Sequence, residues 1–199
     1  MRAYELAAMA WMAVSVTAFG GQGGRSVVIV DRADTYGDTI TQAAGTAQSL
    51  FHEAGVDTEW TICYRTKDPW ASCTLPAKGS YLTLVVLAEA PRVRPEAMGA
   101  AVISKTGEPV VSYAYFDPAA RLAKRTGQPV RVVLACIIAH EIGHLMGLQH
   151  NSSGIMQADL GQREIFDAAQ GRLQFTAEDA GLLREFRRQP PPFVHTTHR

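Results

Sequence analysis

Short apolar runs follow one another between residues 26 and 117, and their lengths are typical of buried β-strands. The first, SVVIV at 26–30, consists almost entirely of β-branched residues, which favour strands. Four further runs are also predicted as strands: VDTEWTICY at 56–64, YLTLVVLA at 81–88, GAAVIS at 99–104 and VVSYAYFD at 110–117. Residues 38–55 begin with aspartate, continue with helix formers and end with glycine, which predicts a helix. This order predicts an α+β fold, with about five strands in a twisted mixed sheet and an N-terminal helix packed on it.

Two longer segments near the C-terminal end have the composition of helices. Residues 130–146 are too long for a buried strand and are apolar all round, so they predict a central buried helix. Pro129 lies at its start, where a missing N–H is harmless, and Gly147 lies at its end, where a left-handed residue can terminate it. Residues 175–188 predict a C-terminal helix capped by Thr176.

The chain has the length of one domain between two distinct end segments. Residues 1–20 combine a basic residue, an apolar run and small residues, the pattern of a secretory signal peptide. An uncleaved N-terminal anchor or a buried first helix is the alternative interpretation. Residues 21–189 show no internal repeat and predict a single domain, and residues 190–199 predict a flexible proline-rich tail. A signal peptide implies a secreted or periplasmic protein.

Charge and cysteine content narrow the possible partners and compartment. The chain has 19 basic and 19 acidic residues and thus no formal net charge, so we expect neither nucleic acid nor stable membrane association. Cys63 and Cys73 flank a polar segment, and an oxidising compartment would favour a disulfide between them. Cys136 lies in an apolar run and is predicted to be a buried free thiol.

The segment AHEIGHLMGLQHNSSGIM at 139–156 contains the candidate chemistry. On a helix, His140 and His144 share one face, so their imidazoles can converge on one metal ion. Glu141 is then placed to reach a water beside the metal and not the metal itself. Gly147 permits a sharp turn after which His150 can return as a third ligand, which leaves the fourth position of a tetrahedral zinc site open for catalysis.

The pattern HExxHxxGxxH, followed by SGIM, resembles the zinc-binding consensus and Met-turn of the metzincin metallopeptidases, most closely their small matrixin-like bacterial members. The resemblance implies that His140, His144 and His150 bind one catalytic Zn²⁺. It implies that Glu141 is the general base and that Met156 lies beneath the ligands. A metzincin-like fold would place a small C-terminal subdomain, ending in a helix, after the active-site helix. The expected activity is that of a monomeric secreted endopeptidase acting on proteins or peptides.

Three features differ from parts of that family. No cysteine-bearing latency motif precedes the first strand, which implies that the inhibitory prodomain of secreted matrixins is absent. Asn151 follows the third histidine, where subfamilies often differ, and Ala158 stands where some members have an additional tyrosine ligand. These differences concern regulation and subfamily.

Other interpretations of the same residues stay open at this point. The histidine spacing could be a chance feature of a helix end. Glu164 could be the third ligand in place of His150, as in thermolysin-like sites, or Cys136 could complete a structural metal site. A secreted zinc protein that binds peptides without turnover is the alternative function. His52 and the histidines of the tail are predicted to lie outside the site.

The substrate cleft is predicted only in outline. An edge strand, supplied by either 99–104 or 110–117, would pair with an extended peptide through main-chain hydrogen bonds. The segment QADLG at 157–161 would form a wall of the pocket, with Ala158 and Leu160 as an apolar lining. This predicts a hydrophobic residue after the scissile bond.

Overall fold

The computed structural model describes residues 25–35, 38–64, 73–76 and 81–188. The predicted signal peptide and the predicted tail lie outside these described residues. The disulfide is present as predicted: it joins Cys63 to Cys73, with their Cα atoms 5.1 Å apart. Among the described helices, none combines the length and apolar character needed to span a membrane.

The strands of the described residues form one five-stranded sheet. Its strands are β1 (Arg25–Asp31), β2 (Thr58–Tyr64), β3 (Tyr81–Leu87), β4 (Gly99–Ile103) and β5 (Pro109–Tyr115). Their order across the sheet is β2-β1-β3-β5-β4. The first four strands in this order run parallel, whereas β4 is antiparallel to β5 and forms one edge. The predicted α+β class and mixed sheet are confirmed, and β4 alone of the two candidate strands is an edge strand.

Five helices in the described part of the chain accompany the sheet: α1 (Thr39–Glu53), α2 (Phe116–Thr126), α3 (Val130–Leu145), α4 (Gln162–Ala169) and α5 (Ala177–Arg188). Sequence patterns predict α1, α3 and α5 but miss α2 and α4. The predicted strand at 110–117 is too long, because β5 ends at Tyr115 and the chain turns directly into α2. Pro118 is tolerated in the first helical turn, where no N–H is needed, and Gly127 ends the helix with a φ of 68°.

Helix α3 occupies the centre of the molecule. It contacts β3, β4 and β5 on the sheet and α1, α2 and α4 among the helices. Its apolar residues are buried on all sides, including Leu134, Ile138 and Ile142. Burial of each such side chain contributes about 1.5–3 kcal/mol to folding. Because α3 is fixed from every direction, side chains on its last two turns have little freedom to move.

The register of the sheet determines which part of β4 faces α3. Leu84 belongs to the core between the sheet and the helices, and Ser112 is its neighbour on β5. Ala101 of β4 lies opposite Ser112, so Ala101 shares this helix-facing side. Side chains alternate along a strand, which puts Gly99 on the same side two residues earlier. The edge strand therefore presents two small residues toward α3.

Candidate metal centre

The last two turns of α3 place two histidines and a glutamate together. His140 and His144 project from the same helical face, and their Nε2 atoms lie 3.0 Å apart. His140 and Glu141 are almost fully buried, with 7% and 6% of their surface exposed. Polar side chains buried in this way destabilise a fold unless each of them has a partner.

A tight turn brings the third histidine back to the helix. Gly147 has a φ of 89°, in the left-handed region that glycine adopts without strain. Leu148 then packs into the core, and its N–H donates to the carbonyl of Gly143. The Nε2 atom of His150 lies 3.2 Å from that of His140 and 3.1 Å from that of His144. The structure thus brings all three predicted ligands together.

Main-chain carbonyls orient the two helical imidazoles. Nδ1 of His140 donates to the carbonyl of Ile155 at 2.8 Å, and Nδ1 of His144 donates to that of Leu148 at 2.9 Å. A carbonyl oxygen only accepts hydrogen bonds, so each Nδ1 is protonated and each neutral ring keeps its lone pair on Nε2. These lone pairs face the common centre.

The geometry fits a zinc ion. Zinc–nitrogen bonds of about 2.0–2.1 Å in a tetrahedral arrangement separate ligand nitrogens by about 3.3 Å. The three Nε2 atoms are separated by 3.0, 3.1 and 3.2 Å. Burial is the main reason that the pKa of His140 falls to about 4; the hydrogen bond to Ile155 opposes this shift. Burial also lowers the pKa of His144, so neutral imidazoles are available as ligands at neutral pH.

The carboxylate of Glu141 lies beside this group and against the edge strand. A Cβ atom at Gly99 would lie only 2.6 Å from Cδ and 2.7 Å from Cγ of Glu141, so position 99 has no room for a side chain. Within the described residues, Oε2 of Glu141 is buried without a hydrogen-bond partner. Burial raises the pKa of Glu141 to about 8. A buried, unpartnered oxygen of this kind is expected to receive a donor that enters the site.

Met156 packs against α3 between the two helical histidines, and Gly143 makes space for it. Met156 is fully buried. Its Sδ atom lies 2.7 Å from the position of a Cβ atom at Gly143. Glycine inside a helix costs about 1 kcal/mol relative to alanine, so its presence between the two helical ligands needs a packing reason. The reason is that the thioether of Met156 occupies the space where a side chain at position 143 would lie.

The turn that carries Met156 is itself fixed by the backbone. Gly154 has a φ of 74°, and a Cβ atom there would lie 2.6 Å from the carbonyl oxygen of Gln174. Next to it, the N–H of Ile155 donates to that same carbonyl at 3.0 Å, while the carbonyl of Ile155 accepts from His140. The turn therefore links the segment before α5 directly to a candidate ligand.

The histidines open onto a cleft of about 620 Å³. One side of the cleft is formed by the segment leading into β4 and by β4 itself, from Arg94 to Ile103. Leu148, Gln149 and the segment 158–160 also line the cleft. The predicted wall residues Ala158 and Leu160 thus line the cleft, together with Ile137 from α3.

The alternative ligands lie elsewhere. Oε2 of Glu164 accepts a hydrogen bond from the N–H of Gly161 at 3.0 Å and so caps α4. Cys136 is buried in the core, where desolvation raises the pKa of its thiol to about 12. Among the described residues, the group able to hold a metal consists of the three histidines and includes neither of them. His52 pairs with Asp57 on the surface.

Sequence reasoning missed the residues that support the site from a distance. Gly143 carries a detectable signal, since glycine inside a strongly apolar helix indicates close packing. Gly99 and Asp179 carry none, because their roles depend on contacts with residues 42 and 28 positions away in the chain. Only the folded structure shows these contacts.

Comparison with known proteins agrees with this fold and this site. The matrixin family model, peptidase family M10, matches residues 92–175, which include β4, α3 and the three histidines. The crystal structure of archaemetzincin from Methanopyrus kandleri aligns with a TM-score of 0.54 and 15% sequence identity. The alignment covers 85% of this chain and 98% of archaemetzincin. A comparison with curated protein sequences found no match.

The two matches support different statements about the protein. The archaemetzincin likeness concerns the fold, whereas the matrixin match covers the segment that carries the histidines. The chain has a metzincin-like fold. The family match and the three-histidine group support a zinc metallopeptidase.

Proposed function

We propose that this protein is a zinc-dependent endopeptidase in which His140, His144 and His150 bind one Zn²⁺ and Glu141 is the general base. One observation carries the proposal. Three imidazole Nε2 atoms converge at 3.0–3.2 Å on the floor of an open cleft, beside a buried carboxylate oxygen that has no partner in the described structure.

The proposed chemistry divides between the metal and the carboxylate. When bound, zinc polarises the scissile carbonyl and makes water more acidic. Glu141 takes the proton of the attacking water and returns it to the leaving amine. Its burial suits this task, because desolvation raises the pKa of the Glu141 carboxylate and so makes it a stronger proton acceptor than an exposed glutamate.

The free edge of β4 is the proposed docking site for the peptide backbone. Among the residues that the structure describes, β4 pairs only with β5, and Gly99, Ala100 and Ala101 line the cleft. An extended peptide can add to such an edge through main-chain hydrogen bonds. Ile103 lies about 13 Å farther along the strand than Gly99, at about 3.3 Å per residue. The cleft lining also extends from Gly99 back to Arg94, so a chain can pass through, as an endopeptidase requires.

The apolar lining supports a preference for a hydrophobic residue after the scissile bond. Ile137, Ala158 and Leu160 line the same cleft as the histidines. Burial of one large apolar substrate side chain there would contribute about 1.5–3 kcal/mol to binding. A peptide-library cleavage profile tests this preference, and a profile without enrichment of hydrophobic residues at that position would contradict it.

We further propose that the protein acts in an oxidising compartment outside the cytosol, as a secreted or periplasmic enzyme. The disulfide between Cys63 and Cys73 supports this location, because such bonds persist mainly where thiols are not kept reduced. Fractionation of cells that produce the full chain, with mass measurement of the exported product, tests both export and cleavage of residues 1–20.

The deciding experiment measures zinc content and proteolysis together. The purified protein is expected to bind one zinc ion and to cleave casein or a mixed peptide pool until a chelator is added. Glu141→Gln is expected to keep the zinc and lose cleavage. Glu164→Gln is the matched control, because Glu164 caps α4 away from the histidines, and it should retain both properties. Bound zinc with peptide binding but no cleavage would favour the alternative of a zinc-containing peptide-binding protein.

A further inference from the structure

The three candidate ligands are not held in the same way. Nδ1 of His140 and Nδ1 of His144 each donate to a main-chain carbonyl. Within the described part of the chain, Nδ1 of His150 has no hydrogen-bond partner, and His150 is exposed beyond the end of α3. The orientation of the third imidazole must therefore be imposed through its backbone.

The residue that follows His150 is fixed at three points. The main-chain N–H of Asn151 donates to the carbonyl of Met156 at 3.0 Å, which closes the turn. Its Oδ1 accepts from the N–H of Ser153 at 3.0 Å. Its Nδ2 donates to both carboxylate oxygens of Asp179, each at 3.0 Å. The first two contacts are local, whereas the third reaches across 28 residues.

Asp179 is in turn rigidly held at the start of α5. It is 4% exposed and accepts hydrogen bonds from the N–H of Thr176 at 3.0 Å and from its hydroxyl at 2.8 Å. The N–H of Asp179 donates back to the Thr176 hydroxyl at 3.1 Å, which completes a reciprocal helix cap. A carboxylate in the first helical turn is also stabilised by the helix dipole.

The far end of α5 is anchored to the N-terminal half of the domain. The Arg184 guanidinium donates to the carbonyl of Ala54, just after α1, at 2.8 Å. The Arg25 guanidinium, at the start of β1, donates to the carbonyl of Phe186 at 2.9 Å and lies over its ring. Helix α5 therefore joins the sheet and α1 at one end to Asn151 at the other.

From these contacts we infer that Asp179 is a positioning residue for the metal centre, which fixes the third ligand His150 through Asn151. The inference rests on the proposed role of His150 as a ligand. It makes α5, which contributes no ligand of its own, a structural part of the metal site. Loss of partners around a metal ligand typically weakens metal binding about 10–100-fold.

An exchange of the two polar groups tests the inference. Asn151→Asp alone sets two carboxylates against each other. Asp179→Asn alone removes the negative charge and leaves a single acceptor oxygen to serve both the Thr176 donors and the Asn151 amide. In the double variant the carboxylate and the amide exchange places, which restores a hydrogen bond between the two positions. We expect each single variant to weaken zinc binding about 10-fold or more, and the double variant to recover most of this loss. Competition with a chromophoric chelator measures the dissociation constant.

Two control variants separate positioning from general loss of stability. Leu183→Ala removes a fully buried apolar side chain of α5 but leaves the polar groups of Asn151 and Asp179 in place, so it should lower the melting temperature and leave zinc affinity within about twofold. Glu178→Gln changes the neighbouring exposed carboxylate and should alter neither quantity. Leu183→Ala and Asp179→Asn are compared at an equal loss of melting temperature. If both then weaken zinc binding to the same extent, the weaker binding results from lost stability, and the inference fails.

The outcome also distinguishes this inference from the proposed function. If the wild-type protein binds no zinc, or His150→Ala binds it as tightly as wild type, the proposed metal site is wrong and the inference falls with it. If His150→Ala loses zinc while both single variants keep wild-type affinity, the metal site stands and the positioning role of Asp179 is overturned.

Discussion

The Sδ atom of Met156 lies 2.7 Å from the point that a Cβ atom at Gly143 would occupy, so the thioether fills the space left by the missing side chain. Gly143→Ala should therefore lower the free energy of unfolding by about 1–3 kcal/mol, as overpacking does in other cores. It should also weaken zinc binding, because it disturbs α3 between His140 and His144. Urea unfolding monitored by circular dichroism measures the first effect.

The matched control for this change is Gly181→Ala. Gly181 also lies within a helix, but a Cβ atom there would have no neighbour within 4 Å. Alanine is favoured over glycine in a helix by about 0.5–1 kcal/mol, so this variant should be as stable as wild type or more stable. Equal stabilisation of both variants would show that Met156 does not pack tightly against the helix.

Gly99→Ala should lower the rate of catalysis and leave zinc affinity unchanged. The added methyl group would collide with the side chain of Glu141 and displace its carboxylate. A misplaced general base typically costs about 100-fold or more in rate, so kcat should fall far more than KM rises. Gly45→Ala, at an open position on α1, serves as control and should retain wild-type kcat. Unchanged kcat in Gly99→Ala would show that the Glu141 carboxylate can shift without loss of catalytic activity.

The chelator-treated protein should lose stability as pH rises from about 6.5 to about 8. Burial raises the pKa of Glu141 from 4.5 to about 8, so its contribution is fully present below 4.5 and is lost as pH rises through about 8. Burial lowers the pKa of His140 from 6.5 to about 4, so its contribution is present above 6.5 and lost as pH falls through about 4. Below pH 6.5 the contributions of Glu141 and His140 to stability change with pH in opposite directions. Above pH 6.5 only the contribution of Glu141 still changes.

Melting curves of the metal-free wild type and of Glu141→Gln test this expectation. The melting temperature of the wild type should fall across pH 6.5–8, and that of Glu141→Gln should be flatter there, because the amide does not titrate. The exposed-site variant Glu178→Gln should behave as wild type. A wild-type slope that persists in Glu141→Gln would assign the titration to another group.

Cys136 should be unreactive in the folded protein. Its thiol is buried, and desolvation raises its pKa to about 12, so almost no thiolate exists at pH 8. An aromatic disulfide reagent should therefore detect no thiol in the native protein and one after unfolding in denaturant. With reduction of the Cys63–Cys73 disulfide, the count should rise to three. Rapid labelling of the native protein would contradict the buried placement.

The elements found from the sequence are those whose patterns are local and strong. The β-branched run of β1 and the long apolar segment of α3 each indicate their structure within a few residues. Helix α4 is different, since it spans eight residues and buries only Ile165 fully. Helix α2 was missed because the apolar pattern of β5 runs without a break through Tyr115 into Phe116, and the boundary is set by tertiary packing.

The candidate ligands were likewise predictable because their spacing on a helix and around Gly147 is itself the geometry of the site. The residues that fix this geometry from neighbouring positions could not be predicted from the sequence. Asn151 looks like an ordinary turn residue in sequence, and Asp179 looks like an ordinary residue of a first helical turn. Their direct contact depends on how α5 packs, which no short-range pattern encodes.

The edge strand β4 has a further consequence for the solubility of the protein. An open edge beside a cleft also invites strands from other molecules, and this leads to aggregation. Here Val102 pairs with Val111 and Ile103 pairs with Pro109, so Val110 is an extra residue that forms a bulge. Bulges bend a strand and interrupt further pairing. The edge is thus regular for only a few residues next to Glu141, which is enough for a short peptide segment but too little for a growing intermolecular sheet.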